Sequence, residues 1–188
     1  TTPFSLRCVI SDVKEKFDQI EKIVIRTQEP AIRIISKVGN LANAADRDHC
    51  IQYMAAVGLI YGDLKAEFYE DDFHSENPLI DSLRDKMEII EDKRFSDDYL
   101  DPEKRSIANS MKVIFKDGSS TDDIEVEYPI GHKRRRSEGI PLLEQKFLNN
   151  LNTCFDKDKS NSIYELGTNQ EKLEKTTVHD FMAMLVKN

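Results

Sequence analysis

Two short alternating segments on either side of a tight turn constrain the fold of this chain more than any other feature. Residues 111–115 and 124–128 each alternate with period two, which is typical of strands with one buried face. Between them, Lys116-Asp117-Gly118-Ser119 is a strong hairpin turn signal. Segments 23–27 and 89–90 are rich in β-branched residues and indicate two more strands. The sequence therefore predicts one sheet that contains a hairpin.

Helical patterns lie between these strands. A helix is predicted to begin near Asp46, whose carboxylate can cap the first free amides, and to run through mostly apolar residues to Leu59. Residues 64–73 and the segment that starts at Pro78 indicate two more helices. The order strand, helices, strand, hairpin predicts an α+β domain with a mostly antiparallel sheet and helices on one face.

The pattern changes after Gly139, where strand signals end. Residues 141–155 and 178–186 carry helical apolar stripes. We predict an α+β domain over residues 1–136 and a helical segment over residues 137–188. Two small helices cannot bury a sizeable core alone, so their apolar stripes are expected to need a partner.

Composition and charge disfavour several classes of partner. The chain is 39% hydrophobic and 33% charged, with a net charge of −8, which fits a soluble globular protein without affinity for nucleic acid. No apolar run approaches the roughly 20 residues of a membrane helix. Cys8, Cys50 and Cys154 show no paired spacing, which favours a reducing compartment.

One short segment brings together side chains suited to an anionic substrate. Arg47, His49 and Tyr53 lie within one and a half helical turns, and a helix would place His49 and Tyr53 on one face. A proton-transfer pair beside a cation can act on a carboxylate compound. Structural alternatives stay open: a core tyrosine bonded to a backbone acceptor, a capping histidine, and an arginine paired with neighbouring aspartates.

A basic run at residues 132–136 follows Gly131. Its cations could bind substrate carboxylates or lie at a domain junction. A solvated basic surface and a nucleic-acid patch are the alternatives. The second is disfavoured because no aromatic residues interleave with the run and the chain is acidic.

Acidic and cysteine-containing segments give weak metal signals. Asp71, Asp72, His74 and Glu76 are adjacent groups of a kind that is usually solvated. Residues 156–160 begin like a calcium loop, but the turn glycine and the final glutamate are missing. The isolated cysteines lack iron–sulfur spacing. No metal is expected.

Three motifs resemble the MmgE/PrpD family. They are AADRDHCIQYM at residues 44–54, YPIGHKRRR at 128–136 and SEGIP at 137–141, and the resemblance extends from about Phe17 to the end of the chain. It implies a cofactor-free hydro-lyase of propionate breakdown that converts 2-methylcitrate, a tricarboxylate, to 2-methyl-cis-aconitate. A decarboxylase or an epimerase on the same scaffold is the alternative chemistry.

The resemblance also implies roles for the candidate residues. Tyr53 is expected in an active-site cleft as the proton donor to the leaving hydroxyl, with His49 beside it in a supporting role. Four basic residues are expected to bind substrate carboxylates: Arg47, His132, Lys133 and Arg134.

In the family, a large all-helical domain precedes the region that this chain resembles. The chain is therefore expected to be a fragment, with residues 1–136 as a lid-like domain and 137–188 returning to the helical domain. Residues 1–10 lack the histidine and lysine that family members carry there, so the main base is expected outside this chain. A non-catalytic lid fragment is the competing interpretation. The resemblance implies a homodimer, mitochondrial in a eukaryote and cytoplasmic in a bacterium.

Overall fold

The computed structural model describes residues 4–186, with side chains from Val9 onward. The chain forms two compact units; the first ends at Pro129 and the second begins at Ile130. The sequence patterns place the boundary later, after residue 136, and that domain assignment stays a prediction.

The first unit contains a four-stranded sheet within the described residues. Its strands are β1 (Ile20–Thr27), β2 (Met87–Glu91), β3 (Asn109–Phe115) and β4 (Ile124–Val126). Their order is β2-β1-β3-β4; β1 is parallel to β2, and the other two pairings are antiparallel. The predicted α+β class and mostly antiparallel sheet are confirmed. All four predicted segments lie in this sheet, although β4 ends before Tyr128.

The predicted turn after β3 is also confirmed. Gly118 has a φ of +85°, in the left-handed region that favours glycine, and its backbone N–H donates to the Phe115 carbonyl at 2.9 Å. The Asp117 carboxylate accepts hydrogen bonds from the Ser119 hydroxyl at 2.6 Å and the Ser119 backbone N–H at 2.9 Å. These bonds lower the pKa of Asp117.

The described part of the first unit contains seven α-helices. They are α1 (Phe4–Val13), α2 (Glu29–Ile35), α3 (Ala44–Asp48), α4 (Ile51–Tyr61), α5 (Asp71–Glu76), α6 (Leu79–Arg84) and α7 (Lys93–Leu100). The core joins Val13 of α1, Tyr53 of α4 and Leu83 of α6 to Ile23 and Val113 of the sheet, all of them fully buried. Segment 64–73, predicted as one helix, instead contains a 3-10 turn over Ala66–Tyr69, an extended Glu70 and the start of α5.

The second unit is helical throughout its described residues. After a 3-10 turn (Lys133–Arg135) come α8 (Arg136–Asn152), α9 (Lys157–Gly167), α10 (Gln170–Lys175) and α11 (Val178–Met184). Helix α8 begins before the predicted residue 141 and contains Pro141 near its start. Gly139 packs against the chain before the helix: a Cβ there would lie 2.4 Å from the Ile130 carbonyl oxygen.

The apolar stripe of α8 is only partly covered within the described part of the chain. Leu142 and Phe147 are exposed, whereas Leu151 is buried. Phe147 contacts Tyr164 of α9, with ring centroids 6.1 Å apart. The stripe is thus incompletely buried, as predicted. No helix between residues 4 and 186 has the length and apolar character to cross a bilayer.

Candidate active site

The segment that carries Arg47, His49 and Tyr53 is broken into two helices. The Asn43 side chain accepts a hydrogen bond from the Asp46 N–H at 2.9 Å and caps α3. Helix α3 ends at Asp48, and α4 begins at Ile51 after an extended Cys50. The predicted continuous helix is therefore wrong, and so is the shared helical face that it gave to His49 and Tyr53.

Buried contacts of Cys50 accompany this break, and the residue that caps α3 is not the predicted Asp46. Cys50 is fully buried, and its thiol donates to the Lys37 carbonyl at 3.6 Å. Asp46 does not cap the helix; its carboxylate accepts from the Lys37 ammonium at 3.0 Å and from the Ala42 N–H at 3.2 Å. The bond from Lys37 is the largest cause of a lowered pKa at Asp46.

Arg47 is buried and bonded within the first unit. It is 1% exposed. Its Nε donates to the Tyr69 carbonyl at 2.6 Å, and its terminal nitrogens bond the Asp71 carboxylate and lie 3.4 Å from both the Leu41 carbonyl and His74 Nδ1. The ion pair is thus with Asp71, not with the neighbouring aspartates. In this geometry the guanidinium fixes the chain around residues 69–74 and does not face an open site.

Tyr53 lies in the core. It is 0% exposed, and its hydroxyl donates to the Phe68 carbonyl at 2.7 Å. Its ring stacks on Tyr69 with centroids 6.0 Å apart and meets His74 edge-on at 5.5 Å. Burial raises the pKa of Tyr53 to about 12. The expected open cleft at this hydroxyl is wrong for the described residues, because the segment around Phe68 and Tyr69 covers it.

His74 joins Arg47 to a second buried arginine. His74 Nε2 lies 2.9 Å from the Asp81 carboxylate, which also pairs with Arg84. Arg84 is 7% exposed and donates to the Gly39 carbonyl at 3.0 Å. Its Nε has no hydrogen-bond partner among the described residues. No sequence pattern pointed to Arg84, since a lone arginine at the end of a short amphipathic helix is usually solvated.

The same buried residues anchor the loop over residues 36–43. The Gln52 amide accepts from the Lys37 N–H at 3.2 Å and donates to the Ser36 hydroxyl at 3.0 Å. With the Arg84 bond to Gly39, these contacts fix an irregular loop that leaves Val38 almost fully exposed. Gly39-Asn40 is a loop signal in the sequence, and Gly39 has a φ of +79°, in the left-handed region that favours glycine.

His49 is the exposed member of the predicted group. Its side chain is 64% exposed, and its Nδ1 contacts the carboxylate of the preceding Asp48. Arg47 and Cys50 on either side of this pair are buried. The turn between α3 and α4 therefore presents an imidazole and a carboxylate to solvent.

The basic run lies in the second unit. His132 Nδ1 accepts from the Arg134 N–H at 3.2 Å and so caps the 3-10 turn. Lys133 and Arg134 are exposed. Arg135 pairs with Glu138 at 2.6 Å. Among the described residues, no group of three or more histidine, cysteine or acidic side chains is arranged to hold a metal ion.

These features define an α+β unit followed by a helical unit, with one exposed histidine–carboxylate pair and an exposed basic run. Residues 6–172 match the MmgE/PrpD C-terminal domain family. The chain belongs to the MmgE/PrpD family, and the predicted family is confirmed.

Several named relatives are similar to most of this chain. It is 48% identical over 170 residues to the mitochondrial 2-methylcitrate dehydratase of Yarrowia lipolytica, covering 90% of this chain and 32% of that protein. It is 48% identical over 165 residues to 2-methylcitrate dehydratase of Cupriavidus necator, covering 88% and 34%. It is 52% identical over 162 residues to a probable 2-methylcitrate dehydratase of Saccharomyces cerevisiae, covering 85% and 31%. The chain thus spans about a third of the length of these relatives.

Proposed function

We propose that this chain is part of a hydro-lyase that converts 2-methylcitrate to 2-methyl-cis-aconitate without a cofactor. The observation that carries this proposal is its 48–52% identity to two proteins named 2-methylcitrate dehydratase and one named probable 2-methylcitrate dehydratase. The reaction needs a base beside one carboxylate, an acid at the leaving hydroxyl and cations on the carboxylates.

Within this proposal the candidate residues divide by exposure. His49, Lys133 and Arg134 are exposed, and we propose that they contact the tricarboxylate; His132, next to Lys133 in the sequence, is half-buried. Arg47 and Tyr53 are buried and bonded to backbone carbonyls. We assign these two to positioning, because each holds the 68–74 segment in place.

The remaining parts of the proposal concern the larger protein. We propose that a helical domain supplies the main base and completes the site, and that the complete enzyme is a homodimer. A eukaryotic protein of this kind would be mitochondrial, as the name of the Yarrowia lipolytica relative states for that protein; a bacterial one would be cytoplasmic.

A hybrid enzyme tests the proposal. This chain replaces the 165 matched residues of the Cupriavidus necator relative, and dehydration of 2-methylcitrate is followed by the absorbance of the new double bond. The expected result is turnover by the hybrid and none by this chain alone. The unsubstituted relative is the positive control. A folded hybrid without dehydratase activity contradicts the proposal.

The same assay separates the competing interpretations. A hybrid that binds 2-methylcitrate but does not dehydrate it favours a non-catalytic module. A hybrid that releases carbon dioxide or inverts a stereocentre of a related acid favours the decarboxylase or the epimerase.

A further inference from the structure

The turn between α3 and α4 presents a histidine whose two ring nitrogens differ in environment. His49 Nδ1 contacts the Asp48 carboxylate, and its Nε2 has no hydrogen-bond partner between residues 9 and 186. A carboxylate accepts hydrogen bonds only, so the neutral imidazole must carry its proton on Nδ1 to make this contact. Nε2 is then the nitrogen at which a proton can be gained and lost.

The other histidine of the first unit is bonded differently. His74 Nδ1 lies 3.4 Å from an Arg47 donor, and its Nε2 lies 2.9 Å from Asp81. Arginine donates only and the carboxylate accepts only, so neutral His74 carries its proton on Nε2. Both of its nitrogens are engaged. The two histidines therefore have opposite tautomers, and of these two only His49 offers a ring nitrogen to a ligand.

The backbone that carries His49 is fixed on both sides. Arg47 is bonded to the Tyr69 and Leu41 carbonyls, and Cys50 is fully buried. A group that transfers a proton must be held on a rigid element with its orientation set by a neighbour. The Asp48 carboxylate gives this orientation through its contact with Nδ1.

We propose that His49 is the proton donor to the leaving hydroxyl and that Asp48 is its positioning residue. This inference rests on the proposed dehydratase function and moves the acid role from Tyr53, whose hydroxyl proton is donated to Phe68, to His49. With His49 as the imidazolium, protonated on both ring nitrogens, the Nε2–H bond breaks and its proton joins the departing hydroxyl, which leaves as water when the C–O bond breaks. The imidazole is left neutral, with its proton on Nδ1. An amine or imidazole base elsewhere in the enzyme takes the proton from the adjacent carbon, and that electron pair forms the double bond.

The tautomers can be measured on this chain without any activity. Histidine is labelled with ¹⁵N, and the ring nitrogens are identified by multiple-bond NMR at about pH 8, where an ordinary imidazole is neutral. His49→Gln and His74→Gln assign the signals. We expect protonated Nδ1 at His49 and protonated Nε2 at His74.

Removal of the Asp48 carboxylate tests whether it sets the tautomer of His49. Asp48→Ala should abolish the Nδ1–H preference of His49 and leave that of His74 unchanged. Asp72→Ala, at another exposed aspartate of the first unit, is the control and should change neither. If His49 carries its proton on Nε2, or if Asp48→Ala leaves its tautomer unchanged, the positioning role is refuted.

The catalytic step is tested in the hybrid enzyme. His49→Gln should lower kcat by roughly a hundredfold or more, the typical effect of one acid–base group, with little change in KM. Asp48→Asn should lower kcat by about tenfold, and Asp72→Asn should not lower it. An active hybrid whose kcat survives both substitutions overturns this inference and leaves the proposed function standing. An inactive unsubstituted hybrid refutes the proposed function and the catalytic step together, and the tautomers are then decided by NMR alone.

Discussion

Replacement of Tyr53 by phenylalanine should destabilise the first unit at neutral pH. The Tyr53 hydroxyl is fully buried and donates to the Phe68 carbonyl at 2.7 Å. The substitution removes this donor and leaves a carbonyl without it, which costs about 1–2 kcal/mol. For a chain of 188 residues, this corresponds to a fall in Tm of roughly 2–8 °C.

The same contact predicts a particular dependence on alkaline pH. Burial raises the pKa of Tyr53 from an ordinary value of 10.0 to about 12. Between these values the unfolded chain loses the phenolic proton and the folded chain keeps it. Stability from this group is therefore complete below pH 10 and falls as the pH rises toward 12, by at most about 3 kcal/mol.

Tyr53→Phe removes this titration. The difference in stability between the parent and the variant should therefore change sign between pH 7 and pH 12. The parent should be more stable at pH 7, and the variant should be more stable near pH 12. Tyr69 and Tyr164 also have raised pKa values, but both proteins contain them. The difference therefore reports Tyr53 alone.

Urea unfolding measures this difference in stability. Because the chain has no tryptophan to report unfolding by fluorescence, the signal is far-ultraviolet circular dichroism. Tyr61→Phe is the matched control. Tyr61 is exposed, and its hydroxyl donates to the Asn77 side chain in an exposed hydrogen bond. Loss of this hydroxyl should therefore change stability by less than about 0.5 kcal/mol. Equal stability of the Tyr53→Phe variant and the parent at pH 7, or a difference that is constant to pH 12, would refute the assignment of this hydroxyl to the core.

Two further substitutions test the packing of each unit by urea unfolding. Arg47→Met should destabilise the first unit by roughly 2–4 kcal/mol, because it leaves the Tyr69 and Leu41 carbonyls without their donor. Exposed Arg33→Met should have little effect, and comparable stabilities of the two variants would contradict the buried role. Gly139→Ala should destabilise the second unit by roughly 1–3 kcal/mol, because its Cβ would lie 2.4 Å from the Ile130 carbonyl oxygen. Gly131→Ala, which has open space around its Cβ, is the control, and an equally stable Gly139→Ala variant would show that Ile130 can move.

The sheet was predictable because its signals are local. The period-two pattern of β3 and the Asp117-Gly118 turn are contained in about ten consecutive residues, and both depend on backbone geometry that few residue types satisfy. The family was predictable for a related reason, since its motifs are long and continuous in the sequence. Neither inference required knowledge of which segments meet in space.

The helix break at His49 and Cys50 was not predictable from the same kind of signal. Residues 46–59 have an apolar pattern that a continuous helix would also produce. The break depends on Cys50, whose thiol is buried against the Lys37 carbonyl thirteen residues earlier. Propensity is a weak prior when such tertiary contacts compete with it.

The surroundings of the candidate site residues were not predictable for the same reason: they depend on contacts between distant segments. Arg47 and Tyr53 were predicted as site residues from their types and spacing, but most of their partners lie 15 to 27 residues later in the chain. Spacing along a helix could not show that the segment around Phe68 and Tyr69 would cover them. His49, by contrast, is oriented by the residue immediately before it.

The two buried arginines have a common arrangement that explains why they can be tolerated. Arg47 pairs with Asp71, whose side chain is 78% exposed, and Arg84 pairs with Asp81, which is 46% exposed. Each carboxylate keeps much of its hydration, so the desolvation penalty falls mainly on the guanidinium. Backbone carbonyls accept from both guanidinium groups and offset part of that penalty. Such a network adds little net stability, but it fixes residues 69–84 and the 36–43 loop against α3 and α4. A proton-transfer residue on the α3–α4 turn would require that rigidity, because a displacement of about 1 Å can lower turnover a hundredfold.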